Sequence, residues 1–542
     1  MRRLRPPARV LASLRRPLAR QHIANGSSPA SSAPLARPSV RRLATVAEAA
    51  DLQFGQPVHE THPHILEAGE RASFPSSSFH ELDLPHNLVF HAVQLANLSK
   101  TVTPGITAQE YADRRASLAA QLPLGAVALL PAATLKYRSG AVFYPYRQDS
   151  DFLYLTGWKE GDSLAVVENT GPNLGDYAFR LFCRDKSPRE ERWEGPRNGV
   201  AAARDVFNAD VAHDIRDAGR VLPAILQAAT AVYTDVDPAR IPVADGGAAA
   251  GNTGWRRLLS GTAAASWFPK RHKPLRPLLN GLRAVKSPAE IANMRRAGQL
   301  SGRVITDAMR RRPGWAREKD LHAFLDYGFT AAGCDGPAYV PVVAGGRNAL
   351  TIHYVLNDMA LRAGDLVQID AGGEYGTYVC DISRVWPVAG PRSWSAAQRD
   401  LYEAVLRVQR SCVSLCRASA NLSLDDLHAV AERGLLDQLQ RLGFDGLTPA
   451  GVKELFPHHL GHYLGLDIHD VPGYGRNIAL RQGHCIAVEP GVYVPADDER
   501  WPAHFRGLGV RIEDSVCVDD DSPIVLTAEA VKEIDDIEAL WD

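Results

Sequence analysis

At 542 residues the chain is too long for one ordinary core, so two domains and a tail are expected. Its 61 Lys+Arg balance 62 Asp+Glu to a net charge of −1, which excludes a global field for nucleic acid or an anionic membrane. Seven scattered cysteines without CxxC spacing speak against a disulfide framework or zinc knuckle and fit a reducing compartment, and no apolar run nears the roughly 20 residues of a membrane span.

The first 46 residues hold ten arginines and no acid, the first being Glu48, with Ser, Ala and Leu filling most of the rest. That composition is expected of a mitochondrial presequence, residues 1–46, processed around 43–46; the alternative is a basic arm. Residues 71–100, "RASFPSSSFHELDLPHNLVFHAVQLANLSK", have no clear period and read as an insertion. From 100 to 240 short apolar runs alternate with turn residues: "GAVALLP", "DFLYLTGW", "SLAVVEN", "YAFRLFCR", "AVYTDVD". They predict a mixed sheet with helices at 107–121 and 211–229. The Gly, Ala and Pro of 244–277 read as surface loops near a boundary, which gives an N-terminal domain over 54–278.

A second unit, 283–542, opens at "KSPAEIANMRRAGQLSGRVITDAM". Ser287 can cap, Pro288 suits the first helical position and Glu290 completes a capping box. Ile291, Met294, Ala297, Val304 and Ala308 follow at helical spacing. Ser395 with Gln398 repeats the device, and 424–441 is a third helix. Between and after them come strand-like runs, "DLVQID", "TYVCDISRVWPV", "CIAVEPGVYV" and "VRIEDSVCV". The fold class expected is α+β, with helices covering one face of a curved antiparallel sheet.

Asp370 ends an apolar run, and Asp381 follows eleven residues later after the turn "AGGEYG". A single strand-end Asp is usually a turn or cap residue. Two more acids, Glu489 in "VEPG" and Glu513 in "RIED", also sit at apolar strand ends, and "HHLGHYLGLDIHD" (458–470) supplies imidazoles. Salt bridges satisfy any one buried acid. Four acids with a histidine-rich segment ask for a common cation, because buried carboxylates are costly unless paired or coordinated. Such a set can hold two divalent ions and a water between them, and oxygen-rich ligation favours manganese or cobalt. The residues alone thus lead to a dinuclear metallohydrolase.

The order Asp370, Asp381, His462, Glu489, Glu513, within "IDAGGEYGTYVCDISR", "HHLGHYLGLDIHD", "VEPGVY" and "GVRIED", resembles the pita-bread (creatinase/aminopeptidase) metallopeptidases, specifically aminopeptidase P (Xaa-Pro aminopeptidase). "YPYRQDSDFLYLTGW" resembles that family's N-terminal domain, a smaller creatinase-type α/β unit. "GQPVHETHPHILEAGE" and "VTPGITAQEYADRR" resemble its mitochondrial branch, the Xaa-Pro aminopeptidase 3 and intermediate-cleaving peptidase group. The match runs from residue 54 to the end, apart from the insertion.

The resemblance implies that Asp370, Asp381, His462, Glu489 and Glu513 are metal ligands, for two divalent ions with Mn(2+) first among them. Asp370 would bind one ion through both oxygens, Asp381 and Glu513 would bridge, and His462 and Glu489 would complete the second site. Glu489 would also carry a proton to the leaving nitrogen, and His353 and His469 would stabilise the oxyanion. Arg511, two residues before Glu513, would stand beside the carboxylates, or be a salt-bridging arginine on a strand. His458 and Tyr493 would line the proline pocket, and Trp193 would close the substrate mouth or pack in a core. His459 has no family role; Asp467 and Asp470 would orient neighbouring groups.

The implied activity is metal-dependent release of one N-terminal residue, preferentially before proline, from a peptide or unfolded protein N-terminus. An Xaa-Pro bond lacks an N–H and fixes φ, so ordinary aminopeptidases handle it badly. A mitochondrial location, most simply the matrix, and a homo-oligomer, dimer or tetramer, are expected at the level of the family, as is trimming of imported proteins after presequence removal. The rivals are a prolidase acting on Xaa-Pro dipeptides, a methionine aminopeptidase, and a non-catalytic pita-bread binding module or creatine-type hydrolase. The last class would be expected to lose ligands, and none is lost here.

Overall fold

The computed structural model describes residues 101–236, 272–312, 314–388 and 394–541. They all fall in the compact unit Leu43–Asp542. The expected presequence, the 71–100 insertion and most of the 244–277 loops lie outside the described residues.

The N-terminal part is built on a six-stranded mixed sheet of β1 (Val127–Pro131), β2 (Leu164–Asn169), β3 (Tyr177–Cys183), β4 (Val211–Asp214), β5 (Val232–Tyr233) and β6 (His272–Lys273), in the order β4-β3-β2-β1-β5-β6. Helix α1 (Ala108–Ala119) starts where Thr107 caps Glu110 N, close to the expected 107–121. Two local readings change. "DFLYLTGW" forms helix α2 (Ser150–Thr156) rather than a strand, because Asp149 caps Phe152 N and Gly157 ends the turn at φ 69°. A Cβ on Gly157 would also lie 2.8 Å from the Tyr111 ring. The expected helix at 211–229 begins only at Ala218 as α3 (Ala218–Ala228). Its first four residues are instead β4, paired in parallel with β3 from Arg180↔Val211 to Cys183↔Asp214. The sheet edge claims these backbone groups before the helix can.

Helix α4 (Arg276–Ala284) leads into α5 (Pro288–Arg310), whose Ser287/Glu290 capping box is formed as expected. Then come α6 (Glu318–Ala332), α7 (Ala396–Ser414), capped by Ser395 and Gln398, and α8 (Leu424–Arg441). Met294, Ala297, Val304 and Ala308 of α5 are buried, whereas Ile291 is only partly so. These helices pack on short antiparallel ladders. Strands β7 (Val342–Gly345), β8 (Leu366–Asp370) and β9 (Ser383–Pro387) form one sheet, with Asp370 opposite Ser383. Strand β10 (Cys485–Val488) pairs with β13 (Asp514–Cys517), and β11 (Gly491–Tyr493) with β12 (Gly509–Arg511). One core joins Val304, Leu325 and Phe329 of the helices to Ile369, Trp386, Val488 and Val510 of the strands. Fully burying each such side chain contributes about 1.5–3 kcal/mol.

Ion pairs join the N-terminal part to the segment that follows His462. Arg283, 4% exposed on α4, pairs with Asp151 at 2.5 Å, with Asp467 at 2.9 Å and with Asp470. Lys286 holds the other oxygen of Asp470 at 2.9 Å, and Ser150 donates to Asp467 at 2.6 Å. A buried carboxylate flanked by two cations is compensated, and here that compensation fixes 467–470 to α2 and α4.

Candidate metal centre

Strand register delivers the acids to one place. Asp370 is the last residue of β8. Asp381 lies not on a strand but in the crossing just before β9, where its N–H donates to Ser515 Oγ at 2.9 Å and its C=O accepts from the same hydroxyl at 3.0 Å. Glu489 follows β10 and its N–H donates to Leu460 O at 2.8 Å; Glu513 joins β12 to β13 and its N–H donates to Ser383 O at 3.2 Å. His462 enters from the 457–475 loop, which touches β10 so closely that a Cβ on Gly461 would sit 1.9 Å from Ala487 O. Only glycine fits there. The next ladder bond, Ala487 N to His462 O at 2.9 Å, then fixes the histidine backbone.

Donor atoms of Asp381, His462 and Glu513 lie within 4.8 Å of one another. His462 Nε2 is 3.5 Å from Asp381 and 3.6 Å from Glu489. Its Nδ1 lies 3.2 Å from Tyr463 O, a donor's position that leaves Nε2 as the ligating atom. Tyr339, which sequence reading passed over, hydrogen-bonds Asp370 at 2.6 Å and Asp381 at 2.5 Å, so one hydroxyl ties the two aspartates together. Ser383, also unforeseen, donates to Glu513 Oε2 at 2.8 Å. No local pattern marks either residue.

A second chain of contacts runs outward from Asp370. Arg511, 1% exposed, donates to Asp370 at 2.7 Å, to Ser383 Oγ at 2.9 Å and to Tyr493 at 2.8 Å. The Tyr493 hydroxyl meets His458 Nε2 at 2.9 Å, and His458 Nδ1 is 3.7 Å from Glu489. The residues expected to line the proline pocket are therefore wired to the carboxylates. His469 packs edge-on against the His462 ring with centroids 4.5 Å apart. His353 is exposed, near enough for its charge to act on His458 and His469. His459 stacks on His428 at 4.5 Å and contacts Asp425, away from the acids. Trp193 is 87% exposed at the end of the helix Pro188–Glu194 and enters none of these hydrogen bonds.

Electrostatics show the strain of gathering acids. Burial, with the charges of Asp381, Glu489 and Asp370, holds Glu513 well above the usual carboxylate range. Burial pushes Glu489 up to about 8 against the pull of His462 and Arg511. Burial raises Asp370 too, despite Arg511. Burial by itself would lower the imidazole of His462, but the Asp381 hydrogen bond and the charge of Glu489 override it and raise it to about 9. Burial and the Arg511 charge drive His458 down to about 3, so its ring stays neutral. One atom is left over. Glu513 Oε1 is buried with no hydrogen-bond partner, which is costly for a carboxylate unless a cation meets it. Four acids against Arg511 and one imidazole, with an orphaned oxygen among them, fit divalent metal.

An acid cluster of this kind at the ends of buried strands defines a metal-dependent hydrolase. The chain belongs to metallopeptidase family M24, whose pattern it matches over residues 292–520, and residues 111–233 match the aminopeptidase P N-terminal domain. It is 39% identical over 492 residues to intermediate cleaving peptidase 55 of Saccharomyces cerevisiae, covering 90% of this chain and 88% of that one. It is 32% identical over 488 residues to intermediate cleaving peptidase 55, mitochondrial, of Arabidopsis thaliana, covering 90% and 87%. Among solved structures, aminopeptidase P from E. coli with the inhibitor Pro-Leu superposes with a TM-score of 0.70 at 33% identity, over 80% of this chain and 98% of that one. The architecture is the aminopeptidase P-like pita-bread fold with its N-terminal domain.

Proposed function

We propose that this chain is a dinuclear metal aminopeptidase that removes a single N-terminal residue, preferentially one followed by proline. The observation that carries the reading is the convergence of Asp370, Asp381, His462, Glu489 and Glu513 around an unpartnered buried oxygen. Divalent cations held by these five residues, manganese first among them, would polarise the scissile carbonyl and make a water nucleophilic near neutral pH. The chain's own groups supply the rest. Glu489, itself a proposed ligand, would take a proton from the attacking water and pass it to the leaving proline nitrogen. His469, packed against the His462 ring, and His353 would meet with imidazole a carbonyl oxygen gathering charge. Arg511 fixes the orientation of Asp370, and through Tyr493 it fixes the neutral ring of His458.

Proline preference is supported by the His458–Tyr493 wall and by the Pro-Leu inhibitor of the E. coli relative, since Pro-Leu is what would remain after cleavage of an Xaa-Pro-Leu peptide. An apolar pocket gains only about 1–3 kcal/mol per group, so the preference is graded rather than absolute. A mitochondrial setting, with imported proteins trimmed by one residue in the matrix, is supported by the basic, acid-free 1–46 segment and by the Arabidopsis relative. The domain division at about 278–283 is carried over from the sequence.

The test is hydrolysis of a tripeptide panel varied at the second position, with and without Mn(2+), and with Glu489→Gln as control. Metal-dependent release of the first residue, fastest before proline and abolished in the control, is expected. Cleavage of Xaa-Pro dipeptides alone would assign a prolidase, and turnover unaffected by Glu489→Gln would sink the proton-carrier role.

A further inference from the structure

The seven cysteines are all buried and reduced, and two of them face each other across a ladder. Cys485 opens β10 and Cys517 closes β13, and the two are direct cross-strand partners. Val518 N donates to His484 O at 2.8 Å, which makes 485 and 517 a non-hydrogen-bonded pair. In such a pair the Cα atoms lie about 4.5 Å apart with the side chains closest, inside the roughly 4.4–6.8 Å that a disulfide accepts. The two thiols are also hydrogen-bonded to each other, an arrangement that favours the thiolate at Cys517, and the buried ammonium of Lys286 acts on both. Lys286 is held at this corner by its own N–H, which donates to Gly483 O at 2.8 Å. A nearby ammonium charge and a proton shared between two thiols both favour the thiolate, the form of cysteine that attacks an oxidant.

We propose that Cys485 and Cys517 are a thiol–disulfide site, closed by peroxide and reopened by dithiols. The Cys517 thiolate attacks one oxygen of hydrogen peroxide, forming an S–O bond and releasing hydroxide. The Cys485 sulfur then forms the S–S bond and displaces the second oxygen, and the Cys485 thiol proton leaves with it as water. Two electrons pass from the sulfurs to the peroxide, and the hydroxide of the first step takes up the proton that Cys517 lost on ionising, so the products are one disulfide and two waters. The opposite end of the same ladder is Val488 paired with Asp514, one residue from Glu489 and from Glu513. The disulfide therefore staples the strand pair that carries two of the proposed ligands and resists its thermal opening. The inference stands independently of the peptidase reading.

The reduced full-length chain is treated with one equivalent of hydrogen peroxide, alkylated under denaturing conditions and digested with trypsin without reductant. Cleavage after Arg481, Arg500, Arg511 and Lys532 yields peptides 482–500 and 512–532, each with one of the two cysteines. The expected result is these peptides joined, two hydrogens lighter than their sum and separated by dithiothreitol, with the other five cysteines alkylated. Recovery of both peptides singly alkylated, or either joined to another cysteine, overturns the proposal. The oxidised protein should also melt a few degrees above the reduced one, and Cys485→Ala and Cys517→Ala should each remove that gain. A gain that persists in either variant counts against the site.

Discussion

Arg511 and Asp370 form a buried ion pair at 2.7 Å, and the same guanidinium holds Ser383 and Tyr493, so one side chain sets the position of a proposed metal ligand and of the proposed pocket wall. Lysine offers a point charge and cannot span three acceptors in a plane. Arg511→Lys is expected to fold but to lose at least tenfold in kcat/KM. Arg511→Met, which leaves buried carboxylates uncompensated, should cost about 3–5 kcal/mol of stability. Steady-state kinetics paired with thermal melts check this; Arg511→Lys with unchanged kcat/KM would show that the arginine only pairs charge.

Burial, and after it the charges of Asp381, Glu489 and Asp370, oppose the ionisation of Glu513. Because its carboxyl is raised in the fold, its ionised form destabilises the metal-free protein once the pH exceeds the unfolded value. Glu513→Gln should therefore raise the melting temperature of chelator-treated protein at pH 7 to 8. With Mn(2+) present the order should invert, since the variant loses a ligand. A lower melting temperature for the variant in both states would contradict the charge-crowding account.

At pH 7 the ion-free site holds protons on His462, raised to about 9, and on Glu489, raised to about 8. Metal ligation needs both groups deprotonated, and Glu513, also held high, as well, so binding at pH 7 should release at least two protons. Apparent affinity should climb between pH 6 and 9 and then level off. Calorimetric titration of chelated protein with Mn(2+), in buffers of different ionisation enthalpy, counts the protons directly. Release near zero at pH 7 would mean that these two groups are not the ligands.

Arg283 joins Asp151 of α2 to Asp467 and Asp470, the residues on either side of Ile468 and His469. Arg283→Met should destabilise the protein by about 3–5 kcal/mol, because it leaves the buried Asp470 with Lys286 alone and Asp151 without its partner. At a temperature where the variant remains folded, kcat should fall through misplacement of His469, with metal content unchanged. Loss of metal in step with activity would place the effect at His462 instead.

The sequence by itself determined a good deal here. The capping boxes at Ser287 and Ser395 are local hydrogen-bond patterns within four residues, so they can be read without a fold, and α5 and α7 start where those patterns place them. The four acids among the five proposed ligands were legible because each ends or adjoins an apolar run, where a carboxylate is otherwise costly, and His462 because it lies in the histidine-rich segment 458–470. Tertiary structure decided the rest. Tyr339 reaches Asp381 across 42 residues and Ser383 reaches Glu513 across 130, contacts made by strand register and loop closure with no trace in local composition. Segment 150–156 became a helix, and 211–214 a strand, because a cap in one case and an open sheet edge in the other outweighed hydrophobic period. Propensity acts on neighbours along the chain, whereas a metal cage is a relation among residues distant in sequence. Only the packed strands, and the glycine at 461 that lets the histidine loop lie against β10, bring those residues together.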